Sequence, residues 1–202
     1  EHLAVRGLLT SARVTSDTDV LVVGPSGVWV FEVKHWRGTI VKQDGVWKQV
    51  QAVRGKMGKK HYEEKVAEQA PDDQWLRQAQ EIVKTLQRRL PEGALPAGLD
   101  PADLIQGGLV FTHREAVLDK TRIQGQTASY GPPGPWLERL VKAPPCEGFS
   151  LEARLEVLDA LIHWATLNEH NVVQVISAEA EAQRIYDETA GELRGYVAEL
   201  VK

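Results

Sequence analysis

Asp19, Glu32 and Lys34 are the residues whose types and spacing could do chemistry together. They flank two apolar runs, TDVLVV and VWVFEV, that are separated by the turn Gly24-Pro25-Ser26-Gly27, a pattern that predicts a β-hairpin. With Gly24 to Gly27 as a four-residue loop, Val23 faces Val28. Counting outward, Val22 meets Trp29, Leu21 meets Val30, Val20 meets Phe31, and Asp19 meets Glu32. Alternation then puts Asp19, Glu32 and Lys34 on one face, with Phe31 and Val33 on the other. Opposed residues hold their Cβ atoms about 4.5–5.5 Å apart, so both carboxylates reach one ion. Like charges in that position destabilise a sheet, more so among apolar neighbours. A divalent cation reverses the sign of that term. Mg²⁺ suits such a pair because it takes one or two carboxylates and keeps waters and substrate phosphate oxygens. It would polarise a phosphoryl oxygen and acidify a bound water, while Lys34 would hold the attacking water or neutralise charge on the phosphate. The plainer reading pairs Lys34 with Asp17, which the same register sets opposite it, and Glu32 with a cation from elsewhere. The strongly apolar strand and the opposed aspartate favour the chemical one.

The elements that must position these residues follow from pattern. Asp44-Gly45 between Thr39–Gln43 and Val46–Val50 predicts a two-residue type I′ hairpin, so residues 18 to 50 read as an antiparallel meander. Residues 54 to 70 lack an apolar period and read as a loop or a weak helix. Pro71 with Asp72 or Asp73 as cap opens a helix, whose stripe is Trp75, Ala79, Ile82, Val83, Leu86 and Leu90. Pro91 ends it. IQGGLVFT at 105–112 reads as a buried strand and residues 119 to 135 as a polar, Pro/Gly-stiffened loop. Helices are expected at Trp136–Lys142, from about Leu151 to Leu167, and at Ala178–Val201, with a short strand at Val172–Ile176. A strand meander, a crossover helix and a further strand predict a mixed α/β sheet with antiparallel and parallel pairs.

TDVLVVGPSGVWVFEVKHWRGTI, with Trp47 after it, resembles the nuclease-related domain (NERD) family, a branch of the PD-(D/E)xK nuclease superfamily. That family shows an Ile-Asp before a short apolar strand, a Gly-Pro-x-Gly turn, and a strand ending in Glu-x-Lys-x-Trp-x-Gly. Asp19, the Gly24–Gly27 turn, Glu32, Lys34, Trp36 and Gly38 stand at those places. Ala70-Pro71-Asp72-Asp73-Gln74 resembles the family's Asn-Pro-x-x-Gln helix opening with Ala in place of Asn, and LVFT at 109–112 resembles its next strand. The likeness covers residues 18 to 112. It implies a restriction-endonuclease-like fold and a metal-dependent endonuclease that hydrolyses DNA phosphodiester bonds. It further implies Asp19 and Glu32 as ligands of Mg²⁺ or Mn²⁺, the Val33 carbonyl completing the metal shell, Lys34 as the catalytic lysine and Gln74 as a supporting polar residue. Family members usually carry a glutamate on an upstream helix. Glu1 lies only eighteen residues before Asp19, so that helix is expected to be missing or shortened and Glu1 is not assigned.

Composition is compatible with this without deciding it. A chain of 202 residues, 43% hydrophobic, can bury one core. The expected division is a nuclease core at 1–142 and a mostly helical extension at 143–202, packed on the core. The net charge of −4 is not that of a general nucleic-acid binder, although RGKMGKKHYEEK at 54–65 is basic at its start. Arg54, Lys56, Lys59 and Lys60 could follow a phosphate backbone, with a solvated loop as the simpler account. Trp36 and Trp47 read as sheet packing rather than base stacking. His35 and His61 lack a visible partner, and Cys146 reads as incidental. No apolar run approaches the roughly 20 residues that span a bilayer, and one cysteine fits a cytoplasmic location. Two rivals remain open: a non-catalytic nucleic-acid-binding module on the same fold, and a protein-interaction domain using the C-terminal helices. Oligomeric state is open as well.

Overall fold

The two halves of the predicted hairpin are strands β2 (Asp17–Gly24) and β3 (Gly27–Lys34), paired antiparallel with Val20 opposite Phe31, Leu21 opposite Val30, Val22 opposite Trp29 and Val23 opposite Val28. This is the register counted from the turn. A computed structural model describes residues 3–9, 17–54, 60–125, 128–162 and 176–177. Strand β1 (Leu3–Leu9) lies on the outer edge of β2 and pairs in turn with the two-residue β10 (Ile176–Ser177). Leu3–Leu9, upstream of Asp19, is therefore a strand, and Glu1 lies outside the described residues. On its other edge β3 runs parallel to β7 (Ile105–Phe111), and the short β9 (Tyr130–Gly131) follows β7.

The meander does not continue past Lys34. Both edges of β3 are already taken, so β4 (Gly38–Gln43) starts a second sheet with β5 (Val46–Arg54), β6 (Lys60–Val66) and β8 (Ala116–Ile123), in the order β6-β5-β4-β8. The Asp44-Gly45 turn forms as expected, with φ of 51° and 76° at its two residues, the positive pair that a type I′ turn requires. Strands β6 and β8 correct two expectations, a loop or weak helix at 54–70 and a loop at 119–135. Both strands are edges of the second sheet. His61 to Val66 are all exposed, and a charged edge strand with neither face buried carries no apolar alternation to read.

Helix α1 (Pro71–Arg89) makes the crossover from the second sheet to β7 and lies on the face of the first sheet that presents Leu21, Val23, Val28 and Val30. Ile82 and Leu86 of α1 pack there with Val157, Leu158 and Leu161 of α3 (Leu151–Ile162). On the opposite face Trp29, Phe31 and Val110 meet Trp136 and Leu140 of α2 (Pro133–Lys142). The result is an α/β arrangement, a mixed sheet covered on both faces by helices. The C-terminal stretches expected as helix at 163–167 and 178–201 and as strand at 172–175 lie outside the described residues, as do Lys56 and Lys59.

Two positions in this scaffold are constrained enough to test. Gly107 has φ of 116°, and a Cβ there would sit 2.0 Å from the Val30 carbonyl oxygen of the neighbouring strand. Gly107→Ala is expected to cost at least about 2 kcal/mol, since it combines a strained φ with a backbone clash; urea denaturation measures it. Ala70 is the N-cap of α1, with extended φ/ψ of −66° and 122° and no side-chain bond to the first turn. Neither Asp72 nor Asp73 is the cap. Ala70→Asn supplies the missing acceptor and is expected to raise stability by about 1 kcal/mol on the same measurement.

Candidate active site

β3 carries its apolar side chains into both cores as far as Phe31, and the next residue on the α1 face is Glu32. A carboxylate in that position loses its hydration and needs donors in exchange. Glu32 is 3% exposed. Its Oε2 accepts a 2.7 Å hydrogen bond from Nε2 of Gln78 on α1, and its Oε1 accepts one from the Lys34 ammonium two residues along the same strand face. The ion pair of Lys34 is thus with Glu32.

Asp19 reaches the same place by a different route. Regular pairing of β2 with β3 ends at Val20 and Phe31, so the Val33 amide, which points towards β2, meets no backbone acceptor there. The Asp19 carboxylate takes it through Oδ2 at 2.7 Å. The N–H and C=O of one strand residue point to the same side, so the Val33 carbonyl is directed along the edge on which Asp19 stands. Two carboxylates and a backbone carbonyl therefore converge on the end of β3. Among the described residues no cluster of three or more His, Cys, Asp or Glu side chains could hold a metal ion. The available donor set is all oxygen with two carboxylates. That fits Mg²⁺ or Mn²⁺, which are satisfied by one or two carboxylates and complete their shell with water; a zinc site would want nitrogen or sulfur.

The electrostatics agree with the geometry. The Glu32 carboxyl is held above its ordinary range chiefly by burial. The Lys34 hydrogen bond works against that shift, the nearby Asp19 charge adds to it, and the charge of Lys34 and the Gln78 hydrogen bond oppose it. The net is a carboxylate less comfortable than in water, which a divalent cation would relieve.

Gln74, the supporting residue implied by resemblance, stands one turn earlier on α1. Its amide nitrogen bonds to Gln69 Oε1 at 2.9 Å. It borders a cleft of about 440 Å³ together with Lys34, Trp36, Gln49, Lys65 and Gln69. The bond to Glu32 belongs to Gln78, which the sequence reading missed. A signal for it existed, since Gln78 falls three residues after Trp75 and four before Ile82, inside the apolar stripe, where a polar side chain needs a buried partner. Helix α1 is fixed over the site at two points. Trp75 donates from Nε1 to the Val30 carbonyl at 2.8 Å. Asp72 is buried against Lys42 and the Trp47 indole of the second sheet.

The remaining candidates fall outside this cluster. Trp47 is core, and Trp36 packs on Phe111 with ring centroids 5.7 Å apart. His35 bonds to Thr112 and lies against His113, and His61 bonds to Glu63. Cys146 donates to the Ser26 carbonyl at 3.1 Å, and burial pushes its thiol up. No helix among the described residues is long and apolar enough to cross a membrane.

A mixed sheet with helices on both faces, carrying Asp19 and Glu-x-Lys at the ends of adjacent strands, defines a restriction-endonuclease-like domain. The family model described as "Nuclease-related domain" matches residues 4–112, and the chain belongs to that family. Comparison with curated proteins and with solved structures gave no significant match.

A carboxyl whose folded pKa is raised favours the fold only at pH below its unfolded value, and that contribution is lost as pH rises through the folded value. Glu32→Gln keeps the shape and removes the charge, while Lys34, at 19% side-chain exposure, can turn to water. In EDTA at pH 7.5 the variant is expected to melt at a higher temperature than the wild type. Below about pH 4, where carboxyls protonate, the difference should vanish. A lower melting temperature at pH 7.5 would show that Glu32 stabilises the fold without a cation.

Proposed function

We propose that this chain is a divalent-metal-dependent endonuclease that hydrolyses phosphodiester bonds in DNA. The observation that carries the reading is the convergence of Asp19, Glu32 and Lys34 at the end of β3, around a carboxylate whose charge the fold disfavours. Asp19, Glu32 and the Val33 carbonyl would hold Mg²⁺ or Mn²⁺. The ion, when bound, supplies a polarised phosphoryl oxygen and an acidified water.

The chain's own residues do the positioning. The Val33 amide fixes the rotamer of Asp19, and Gln78 fixes that of Glu32 from the helix side, so neither carboxylate has to be ordered when a cation arrives. Lys34 bonds to Glu32 across one strand face. Its four-carbon chain lets the ammonium exchange that partner for a phosphate oxygen, where it would neutralise charge gathering in the transition state. Gln74 and the cleft beside Lys34 lie on the approach to this point. Residues 1–142 are read as the catalytic core and 143–202 as an extension, with a cytoplasmic setting.

The closed Lys34–Glu32 pair favours one rival, a domain that binds nucleic acid without cutting it. Cleavage decides between them. Supercoiled plasmid and single-stranded DNA are incubated with Mg²⁺, Mn²⁺ or EDTA, using wild type, Glu32→Ala and Lys34→Ala, each checked for folding by circular dichroism. Metal-dependent cutting that falls by at least about 100-fold in both variants is the expected result, the scale on which single charge-stabilising groups act. No cutting by folded wild type on either substrate would replace the nuclease with the binding module.

A further inference from the structure

The cleft beside Lys34 has a chemistry of its own. Its walls come from the inner face of the second sheet, through Gln49 and its register partner Lys65 on β6, from Glu68 and Gln69 just before α1, and from Gln74 in its first turn. Trp36 closes one side, with its ring backed by Phe111. At about 440 Å³ it is in the range that receives one small-molecule-sized group.

The glutamines are arranged in a definite sense. Gln49 Oε1 accepts from Gln51 Nε2 at 3.2 Å, which leaves the Gln49 amide nitrogen as its donor. Gln69 Oε1 accepts from Gln74 Nε2 at 2.9 Å, which leaves the Gln69 nitrogen and the Gln74 oxygen without a hydrogen bond among the described residues. The cleft therefore offers amide donors and an amide acceptor from its glutamines, the two cations Lys34 and Lys65, the carboxylate of Glu68 and one aromatic wall. A phosphate would be met by donors and positive charge alone. Donors and an acceptor beside an aromatic ring match the edge and face of a nucleobase.

We propose that this cleft takes an unpaired base of the DNA strand next to the phosphate presented to Lys34, so that the protein acts on single-stranded DNA in preference to duplex. This deepens the nuclease reading and rests on it for the place of the phosphate. A paired base turns its hydrogen-bonding edge to its partner and is stacked on both faces. To enter, it must first be extruded at a cost of unpairing. A base in a single strand enters without that cost, packs against Trp36 and meets the three glutamines directly. Lys65, at the mouth, faces the strand's backbone.

The test separates this from cleavage by measuring binding in EDTA. A fluorescent 15-nucleotide DNA strand and its duplex are titrated with wild type and with the double variant Gln49→Ala/Gln69→Ala at one salt concentration, and the melting temperature of each protein is recorded. Wild type is expected to bind the single strand at least about tenfold more tightly than the duplex, the scale on which a base stacked on an aromatic side chain contributes. The double variant should lose most of that preference with its melting temperature unchanged. Equal affinity for strand and duplex, or a folded double variant that keeps the full preference, overturns the proposal even if Mg²⁺-dependent cleavage is present. A strand preference that depends on the glutamines, in a protein that cuts nothing, supports the cleft while ending the nuclease reading.

Discussion

A carboxylate buried to 3% exposure at the end of a central strand has to be surrounded by groups that offset its lost hydration, and the organisation of this protein around Glu32 follows from that. Lys34 supplies a charge from the same strand. Gln78 supplies a donor from the crossover helix, and the helix must be pinned for that donor to arrive at hydrogen-bonding distance. The pins are the Trp75 indole on the Val30 carbonyl and Asp72 against Lys42 and Trp47. The second sheet is thus tied to the first through the helix that reaches Glu32. What it adds to the site is the orientation of α1 and one wall of the neighbouring cleft.

The strand carrying Glu32 can end in polar groups because pairing stops early on one edge only. Against β7, pairing continues to Lys34 and Phe111, whereas against β2 it ends at Val20 and Phe31. The three-residue difference leaves an amide and a carbonyl of Val33 on an edge with no partner strand among the described residues. An aspartate side chain fits there as a substitute acceptor. The charge of that aspartate is then felt by the Glu32 carboxylate. An oxygen-rich corner is built from a ladder that is cut short, without any strained backbone at the site itself.

The hairpin and its register as far as Val20 and Phe31 were legible from residue types alone. The direct opposition of Asp19 to Glu32 does not form, because pairing ends one step earlier and Asp19 takes the Val33 amide instead. A tight Gly-Pro-Ser-Gly turn between two apolar runs leaves little freedom in pairing. The crossover helix and β7 were legible for a similar reason, since both bury one face. Strands β6 and β8 were not, because edge strands of a solvent-facing sheet have no period to show. The break between β3 and β4 depended on a strand more than seventy residues away claiming the free edge of β3, which local pattern cannot report. Gln78 was hidden by a habit of reading stripes as apolar. A polar residue at a core position of a helix is a statement about what lies opposite, and here that is Glu32.

Gln74 and Gln78 show why a motif and its geometry need separate treatment. Four residues apart, they point from the same side of α1, yet one is held over Glu32 and the other opens on the cleft with its amide tied to Gln69. The helix places them along a line from the carboxylates to the space where a strand would lie. With Ala70 in place of the Asn of the resembling motif, the helix start lacks a side-chain cap, and the Asp72 pairing anchors the first turn, with the Trp75 bond to Val30 just beyond it. Fixing the first turn of α1 is therefore a matter for the buried Lys42–Asp72 pair. A buried pair of this kind is directional, and loss of either partner leaves an uncompensated charge. Any slip of the helix by a turn would separate that pair, withdraw Gln78 from Glu32 and close the cleft at once, so the helix register, the carboxylate geometry and the cleft shape are one constraint.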